Sequence, residues 1–101
     1  MKPDELYEFV DGTVDAGDIT VYALSTCGFC KRALAFLRKN SITFRYIYFD
    51  DLQDEVKSEI REHLMNTFNK TLRFPFLVYN NERCLVGFDE DEWKSLLGIQ
   101  S

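Results

Sequence analysis

The chain has few cysteines, few prolines and no long apolar run. Its 101 residues include three cysteines, two prolines and one histidine. Three cysteines are too few for the disulfide framework of a small secreted protein, and an odd number leaves one thiol unpaired. No apolar run is long enough for a signal peptide or a membrane-spanning helix. We therefore expect a cytoplasmic protein with no membrane partner, in which a cysteine pair cycles between dithiol and disulfide.

The chain also lacks an excess of positive charge, internal repeats and linkers. Its net charge is -5 at pH 7, and a phosphate-binding surface needs clustered lysines and arginines, so we expect no nucleic-acid partner. With 46% hydrophobic residues it can bury a core as one domain, residues 19–101, and we expect a monomer. Residues 1–18 form an acidic extension. The acids of this extension are Asp4, Glu5, Glu8, Asp11, Asp15 and Asp18.

What the chain does have is two cysteines three positions apart, Cys27 and Cys30, between a strand-like and a helix-like segment. A thiol at a helix N-terminus faces unpaired backbone N–H groups and the positive end of the helix dipole, which lower its pKa. Cys27 is therefore predicted to be the nucleophile. Cys30, one turn along, can attack a mixed disulfide that Cys27 forms and release the product. Lys31 follows and could stabilise the thiolate charge.

Two other interpretations of the cysteine pair remain open at this point. A zinc site would need two further ligands, and the chain offers only Cys84 and His63, which are far apart in sequence. A structural disulfide would need an oxidising compartment. We assign no metal ligand, and we expect Cys84 to be a free buried thiol and His63 to lie on the flank of a helix.

Hydrophobic patterns predict four strands and three helices in the order β-α-β-α-β-β-α. A parallel first pair with a right-handed crossover and an antiparallel hairpin give an α/β fold, a four-stranded mixed sheet with helices on both faces. The predicted strands cover residues 19–24, 42–49, 76–79 and 83–86, and the first helix covers residues 29–39.

The two remaining helices are predicted from capping residues and apolar spacing. Asp50 and Asp51 supply N-cap chemistry for the second helix, and Asp89, with Glu92 as its partner, caps the third. Met65 widens the apolar stripe of the second helix. The stripe itself recurs every four residues and consists of Leu52, Val56, Ile60, Leu64 and Phe68.

Three short motifs occur in one order along the chain: Thr26-Cys27-Gly28-Phe29-Cys30, Phe74-Pro75 and Gly87-Phe88-Asp89. With these motifs and the order of its elements, the chain resembles a glutaredoxin of the thioredoxin superfamily over residues 19–97. The resemblance implies a thioredoxin-like fold and a dithiol–disulfide oxidoreductase that carries electrons to disulfide-containing proteins in cell redox homeostasis. It also implies no tightly bound cofactor, with glutathione as a co-substrate.

The resemblance further implies a substrate groove beside the dithiol. In glutaredoxins the proline of the second motif is cis, so Pro75 would turn the backbone of Phe74 toward Cys27 and pair it with substrate. Phe29 matches an aromatic that packs against the substrate. Arg73 could bind a carboxylate, because residues 19–26 contain no cation where the family commonly has a lysine.

The third motif matches the part of the groove that binds the γ-glutamyl carboxylate of glutathione. After Gly87, the backbone N–H groups of Phe88 and Asp89 would hold this carboxylate. Residues 89–92 are four consecutive acids, which partly neutralise such an anion site. The reductant is therefore either glutathione or a protein reductase, of the thioredoxin reductase or ferredoxin-dependent kind.

A cofactor-binding function is the alternative to the oxidoreductase. Cys-Gly-Phe also begins the Cys-Gly-Phe-Ser site of monothiol glutaredoxins, which hold a [2Fe–2S] cluster between two protomers with two glutathione thiolates. Gly28, in place of the more usual proline, leaves room for such a bridge. Two features favour the oxidoreductase: the monothiol proteins have serine in place of Cys30, and the lysine is missing.

Overall fold

The structure is a computed structural model that describes residues 6–99; residues 1–5 of the predicted extension, with Asp4 and Glu5, and residues 100–101 lie outside it. Within residues 6–99 there are five strands and three α-helices. The strands are β1 (Glu8–Val10), β2 (Ile19–Ala23), β3 (Phe44–Tyr48), β4 (Phe76–Tyr79) and β5 (Arg83–Val86), and the helices are α1 (Gly28–Lys39), α2 (Asp54–Phe68) and α3 (Glu90–Leu97). No helix in this part of the chain is long and apolar enough to cross a membrane.

The strands form one mixed sheet in the order β1-β3-β2-β4-β5. β2 and β3 are parallel and joined through α1, whereas β4 is antiparallel to β2 and to β5. Asn80 and Asn81 join β4 to β5 with φ values of 52° and 57°, a conformation that asparagine tolerates and that tight hairpins use. From residue 19 onward, the predicted order of elements is confirmed.

The predicted number of strands was wrong, because part of the acidic extension adds a fifth strand. β1 pairs antiparallel with β3 at the edge of the sheet, and Val10 packs against the core. The chain then stays against the domain through a hydrogen bond of 2.9 Å from the Val14 N–H to the Ser41 carbonyl. β1 is only three residues long and Phe9 at its centre is 61% exposed, so its strand conformation comes from pairing with β3. The division into extension and domain stays a prediction.

Helices cover both faces of the sheet, as predicted. On one face α1 and α3 pack against β2 residues Val21 and Ala23, with the fully buried indole of Trp93 at the centre. On the other face α2 places Leu64 against Tyr22 and Phe76. Neighbouring residues of β2 therefore belong to different cores, which is why this strand is apolar almost throughout.

The start of α2 differs from the prediction. Asp50 and Asp51 lie in a separate 3-10 turn with the buried Phe49, and α2 begins at Asp54 after Gln53, whose side chain makes no capping hydrogen bond. Of the predicted stripe only Leu64 is fully buried, while Leu52, Ile60 and Phe68 pack at the edge of this core. Met65 is 42% exposed and does not widen the stripe.

Candidate active site

Cys27 follows the loop that leaves β2 and caps the N-terminus of α1. Its backbone is extended (φ -91°, ψ 120°), and its carbonyl accepts a helical hydrogen bond of 3.1 Å from the Lys31 N–H. Its Sγ accepts the N–H of Cys30 at 3.4 Å. The sulfur thus occupies the place of the oxygen of an ordinary capping side chain. Because Cys27 is only half-buried, a substrate can reach the thiol.

The surroundings of Cys27 favour the thiolate. Burial by itself raises the pKa of this thiol, but the Cys30 thiol and the N–H groups of Cys30 and Phe29 donate hydrogen bonds to the sulfur. These hydrogen bonds outweigh burial and hold the pKa of Cys27 below its usual range. At neutral pH the ionised fraction of Cys27 is therefore larger than that of an ordinary cysteine.

Cys30 has the opposite character. It lies inside the core with 1% of its surface exposed, and its Sγ accepts the N–H of Leu24 at 3.4 Å. Burial is the main cause that raises the pKa of Cys30 to about 12, and the negative charges of Cys27 and Asp50 add to it. The two thiols of one helical turn therefore differ in protonation as well as in access.

The second motif lies at the same end of the sheet as the dithiol. The Phe74–Pro75 peptide bond is cis, as the resemblance implied, and Pro75 is fully buried. Because β4 pairs Phe76 with Tyr22 of β2, Pro75 lies level with Ala23, just before the loop that leads to Cys27. Phe74 is half-buried and packs against the core that contains Cys30.

The third motif connects the second motif to α3. The N–H of Gly87, which has a φ of +81°, donates to the Pro75 carbonyl at 2.8 Å, and the Trp93 indole donates to the Gly87 carbonyl at 3.1 Å. The Phe88 ring lies 5.0 Å from the Trp93 ring and is half-buried against the core. Asp89 caps α3 by accepting the Glu92 N–H at 3.2 Å, as predicted. Within residues 6–99 no hydrogen bond is donated by the N–H groups of Phe88 and Asp89.

Three further predicted site residues are exposed. Phe29 follows Cys27 by two positions, is 59% exposed and lies 5.6 Å from the Arg32 guanidinium. Lys31 lies in the first turn of α1, and Arg73 immediately precedes Phe74. The ion pairs found within the described part of the chain involve neither Lys31 nor Arg73. The substrate roles of Phe29 and Arg73 and the thiolate-stabilising role of Lys31 stay predictions.

One contact between two site residues was not predicted from the sequence. The N–H and the hydroxyl of Ser25 donate to the two carboxylate oxygens of Asp50, at 2.9 and 2.5 Å. These hydrogen bonds lower the pKa of Asp50 and tie the loop before Cys27 to the end of β3. The predicted parallel pairing could have revealed this contact. β2 and β3 place Ala23 level with Tyr48, so the residues that follow both strands meet at one edge of the sheet.

Cys84 and His63 do not lie beside the dithiol. Cys84 is half-buried in β5, rather than fully buried as expected, and packs on the α2 face of the sheet. His63 is exposed on α2, where it lines a cavity of about 710 Å³ together with Tyr22 and Arg45. Cys27 and Cys30 belong to the opposite face. No group of three or more potential metal ligands occurs within residues 6–99.

Comparisons with known proteins agree with this arrangement. A sequence model of the glutaredoxin family matches residues 19–83. A glutaredoxin from Methanosarcina mazei Go1 is 34% identical, with 91% of this chain and 87% of that chain covered and a TM-score of 0.79. Methanosarcina acetivorans methanoredoxin is 31% identical (90% and 95% covered, TM-score 0.79), and a glutaredoxin from Archaeoglobus fulgidus is 28% identical (80% and 86%, TM-score 0.71). No curated protein sequence matches the chain. These likenesses confirm the thioredoxin-like fold.

Proposed function

We propose that this chain, which belongs to the glutaredoxin family, is a dithiol–disulfide oxidoreductase that carries electrons to disulfide-containing proteins. The observation that carries this proposal is the difference between two thiols in one helical turn. Cys27 is half-buried with a lowered pKa, whereas Cys30 is buried with a pKa of about 12. Stepwise exchange needs an accessible, ionised thiol that attacks first and a protected thiol that acts second.

In the first step the Cys27 thiolate attacks one sulfur of the substrate disulfide. The disulfide bond breaks, a mixed disulfide with Cys27 forms, and the other substrate sulfur leaves as a thiolate that takes a proton from water. The negative charge of Cys27, which helps to raise the pKa of Cys30, disappears in the same step. Ionisation of Cys30 therefore becomes easier once the mixed disulfide exists.

In the second step the Cys30 sulfur loses its proton to solvent and attacks the sulfur of Cys27. A disulfide between Cys27 and Cys30 forms, and the second substrate sulfur leaves as a thiolate and is protonated. Two electrons have then passed from the dithiol to the substrate. A reductant must return two electrons to the Cys27–Cys30 disulfide before the next cycle.

For this reductant we propose either glutathione or a protein reductase. The N–H groups of Phe88 and Asp89, which donate no hydrogen bond within residues 6–99, suit the γ-glutamyl carboxylate of glutathione. The three acids at the start of α3, Glu90–Glu92, repel a carboxylate that binds at this place. The repulsion of glutathione by these acids favours a protein reductase whose docking face is basic, such as a thioredoxin reductase or a ferredoxin-dependent enzyme.

The cluster-carrier alternative is the weaker proposal. A [2Fe–2S] cluster needs four thiolates, and the dithiol region supplies one accessible thiol, since Cys30 is 1% exposed. Even a cluster shared by two protomers would need two external thiols. An added Cβ at Gly28 would meet no side chain or neighbouring element within 4 Å, so the packing of the chain itself does not require a glycine there.

We also propose that the protein acts in the cytoplasm and as a monomer. The dithiol must be returned to its reduced form after each cycle, which a reducing compartment allows. Cys27 and Cys30 belong to one helical turn, so the exchange needs no residue from a second protomer.

A coupled turnover assay tests the proposed function. The protein would be given a disulfide-containing protein substrate with, in turn, glutathione and glutathione reductase, a thioredoxin reductase or a ferredoxin-dependent reductase. We expect turnover with at least one donor, loss of turnover in Cys27→Ser and parental turnover in the matched control Cys84→Ser. Equal turnover of Cys27→Ser and the parent would contradict the proposal. A visible absorption band after anaerobic reconstitution would instead support the cluster alternative.

A further inference from the structure

The outward face of α1 is a basic surface in an acidic protein. An α-helix has about 3.6 residues per turn, so positions 31, 32, 35, 38 and 39 lie on one side of it. All five of these side chains are exposed, while Cys30, Ala33, Leu34, Phe36 and Leu37 face the core. Four of the five are cationic, in a chain whose net charge is -5. We call this surface the basic stripe; it consists of Lys31, Arg32, Ala35, Arg38 and Lys39.

Within residues 6–99, no ion pair neutralises the charges of the basic stripe. α1 contains no aspartate or glutamate. The ion pairs within the described part of the chain join Arg45 to Asp18, Lys57 to Asp54 and Lys94 to Glu90, and none involves the stripe.

Aromatic rings support two cations of the stripe instead. The guanidinium of Arg32 lies 5.6 Å from the ring centroid of Phe29, and that of Arg38 lies 5.4 Å from the ring centroid of Tyr46. A ring holds a guanidinium in place without cancelling its charge. The positive charge therefore remains available to an external anion.

The basic stripe begins beside the reacting sulfur. Cys27 caps α1, Lys31 and Arg32 follow in its first turns, and Lys39 is its last residue. With a rise of about 1.5 Å per residue, the stripe extends roughly 18 Å along the helix axis from Cys27. An extended peptide of about six residues covers that distance. A chain segment next to a disulfide held at Cys27 can therefore lie along the stripe.

We infer that the basic stripe binds an acidic segment that flanks the reactive disulfide of a protein substrate. The inference rests on the proposed oxidoreductase function and names the kind of partner that this function would serve. Charge complementarity would speed encounter and align the disulfide with Cys27. A nucleic acid fits less well, because the stripe leads to a thiol whose chemistry requires a disulfide.

Reduction of three synthetic peptides tests this inference. Each peptide has the same disulfide-closed loop, followed by a flank of about six glutamates, serines or lysines. The rate constant for thiol release by the pre-reduced protein is measured at ionic strengths of about 0.01 M and about 1 M. We expect the glutamate peptide to react roughly tenfold faster than the serine peptide at low salt, with the lysine peptide slowest and the differences nearly gone at high salt.

Two charge variants locate the effect. Arg38→Glu with Lys39→Glu, far from the thiols, should abolish the preference for the glutamate peptide and leave the serine peptide at its parental rate. The matched control, Lys70→Glu with Arg83→Glu, changes two exposed cations outside α1 and the net charge by the same amount, and should keep the preference.

Several results would overturn the inference. Equal rates of the parent with all three peptides, or equal loss of preference in both double variants, would show that the stripe does not select substrates. The parent could instead form a dimer or bind duplex DNA. If Arg38→Glu with Lys39→Glu abolished either of these, the stripe would be assigned to that other partner. If the serine peptide were not reduced at all, the proposed oxidoreductase function would fail as well; its reduction without any charge preference would remove the inference alone.

Discussion

Asp50, the second residue of the 3-10 turn after β3, accepts both polar hydrogens of Ser25, which lies two positions before Cys27. This contact joins the active-site loop to the end of a neighbouring parallel strand. It also places a carboxylate where its negative charge contributes to the raised pKa of Cys30. The pair therefore connects the stability of the loop to the chemistry of the resolving thiol.

The first prediction concerns the pH dependence of this contact. The pKa of Asp50 is lowered in the folded protein, so its hydrogen bonds stabilise the fold above the unfolded carboxyl pKa of about 3.9. This contribution is lost as the pH falls through the lower folded pKa. Ser25→Ala should cost about 1 kcal/mol or less at neutral pH, since the pair is exposed. Urea unfolding from about pH 7 to about pH 2 should show the cost disappearing at the acid end.

Thr26→Ala is the matched control for Ser25→Ala, because Thr26 is an exposed neighbour in the same loop. Its free energy of unfolding should follow that of the parent at every pH. A cost of Ser25→Ala that is the same at pH 7 and at the acid end would show that the ionised Asp50 carboxylate does not carry the effect.

The second prediction concerns Arg73, the exposed cation next to Phe74. If it binds a carboxylate of the reductant, Arg73→Ala loses a charge-assisted hydrogen bond of about 1.5 kcal/mol. The KM for the natural reductant should then rise by roughly tenfold with little change in kcat. Arg83→Ala, which removes another exposed arginine, should leave both constants unchanged. Parental KM values of Arg73→Ala with every competent reductant would remove Arg73 from the site.

The third prediction concerns the acids at the start of α3. Replacing Glu90 with Gln and Asp91 with Asn removes two negative charges next to the N–H groups of Phe88 and Asp89. Turnover with glutathione should rise, and turnover with a protein reductase that has a basic docking face should fall, more at low salt than at high salt.

Asp54→Asn with Glu55→Gln provides the control for these acids. It removes two first-turn acids from α2 and breaks the pair of Asp54 with Lys57 at 4.0 Å, as the α3 variant breaks the pair of Glu90 with Lys94 at 3.6 Å. Both variants should lose a little stability, but only the α3 variant should change turnover. Unchanged turnover of the α3 variant at both salt concentrations would leave these acids as capping residues and favour glutathione as the donor.

Local patterns in the sequence predicted most of the fold. The hairpin follows from two apolar runs around Asn80-Asn81, and the last helix from Asp89 as its cap. β1 could not be predicted in this way, because it depends on the exposed edge of β3. The predicted start of α2 was wrong because it, too, depends on a contact between residues far apart in sequence. Asp50 binds Ser25 rather than capping the helix.

The sequence predicted the part of the site that lies within one helical turn, which is the pair of reacting cysteines. Spacing alone placed Cys27 at the N-terminus of α1 and Cys30 one turn along. The burial of Cys30, which separates the two thiols in pKa, required the packing of α1 against the sheet. The contact of Gly87 with Pro75 continues the β4–β5 pairing of Phe76 with Val86, so the hairpin predicted from the sequence already implies it.

The most direct test of the account is the order in which the three cysteines react. The pre-reduced protein would be treated briefly with an alkylating agent at mildly acidic pH, and the modified residue identified by mass spectrometry. We predict that Cys27 is labelled first, because its pKa is lowered while the pKa values of Cys30 and Cys84 are raised. In Cys30→Ser, a substrate disulfide should remain attached to Cys27 as a stable mixed disulfide. Labelling of Cys30 or Cys84 ahead of Cys27 would contradict the assignment of Cys27 as the nucleophile.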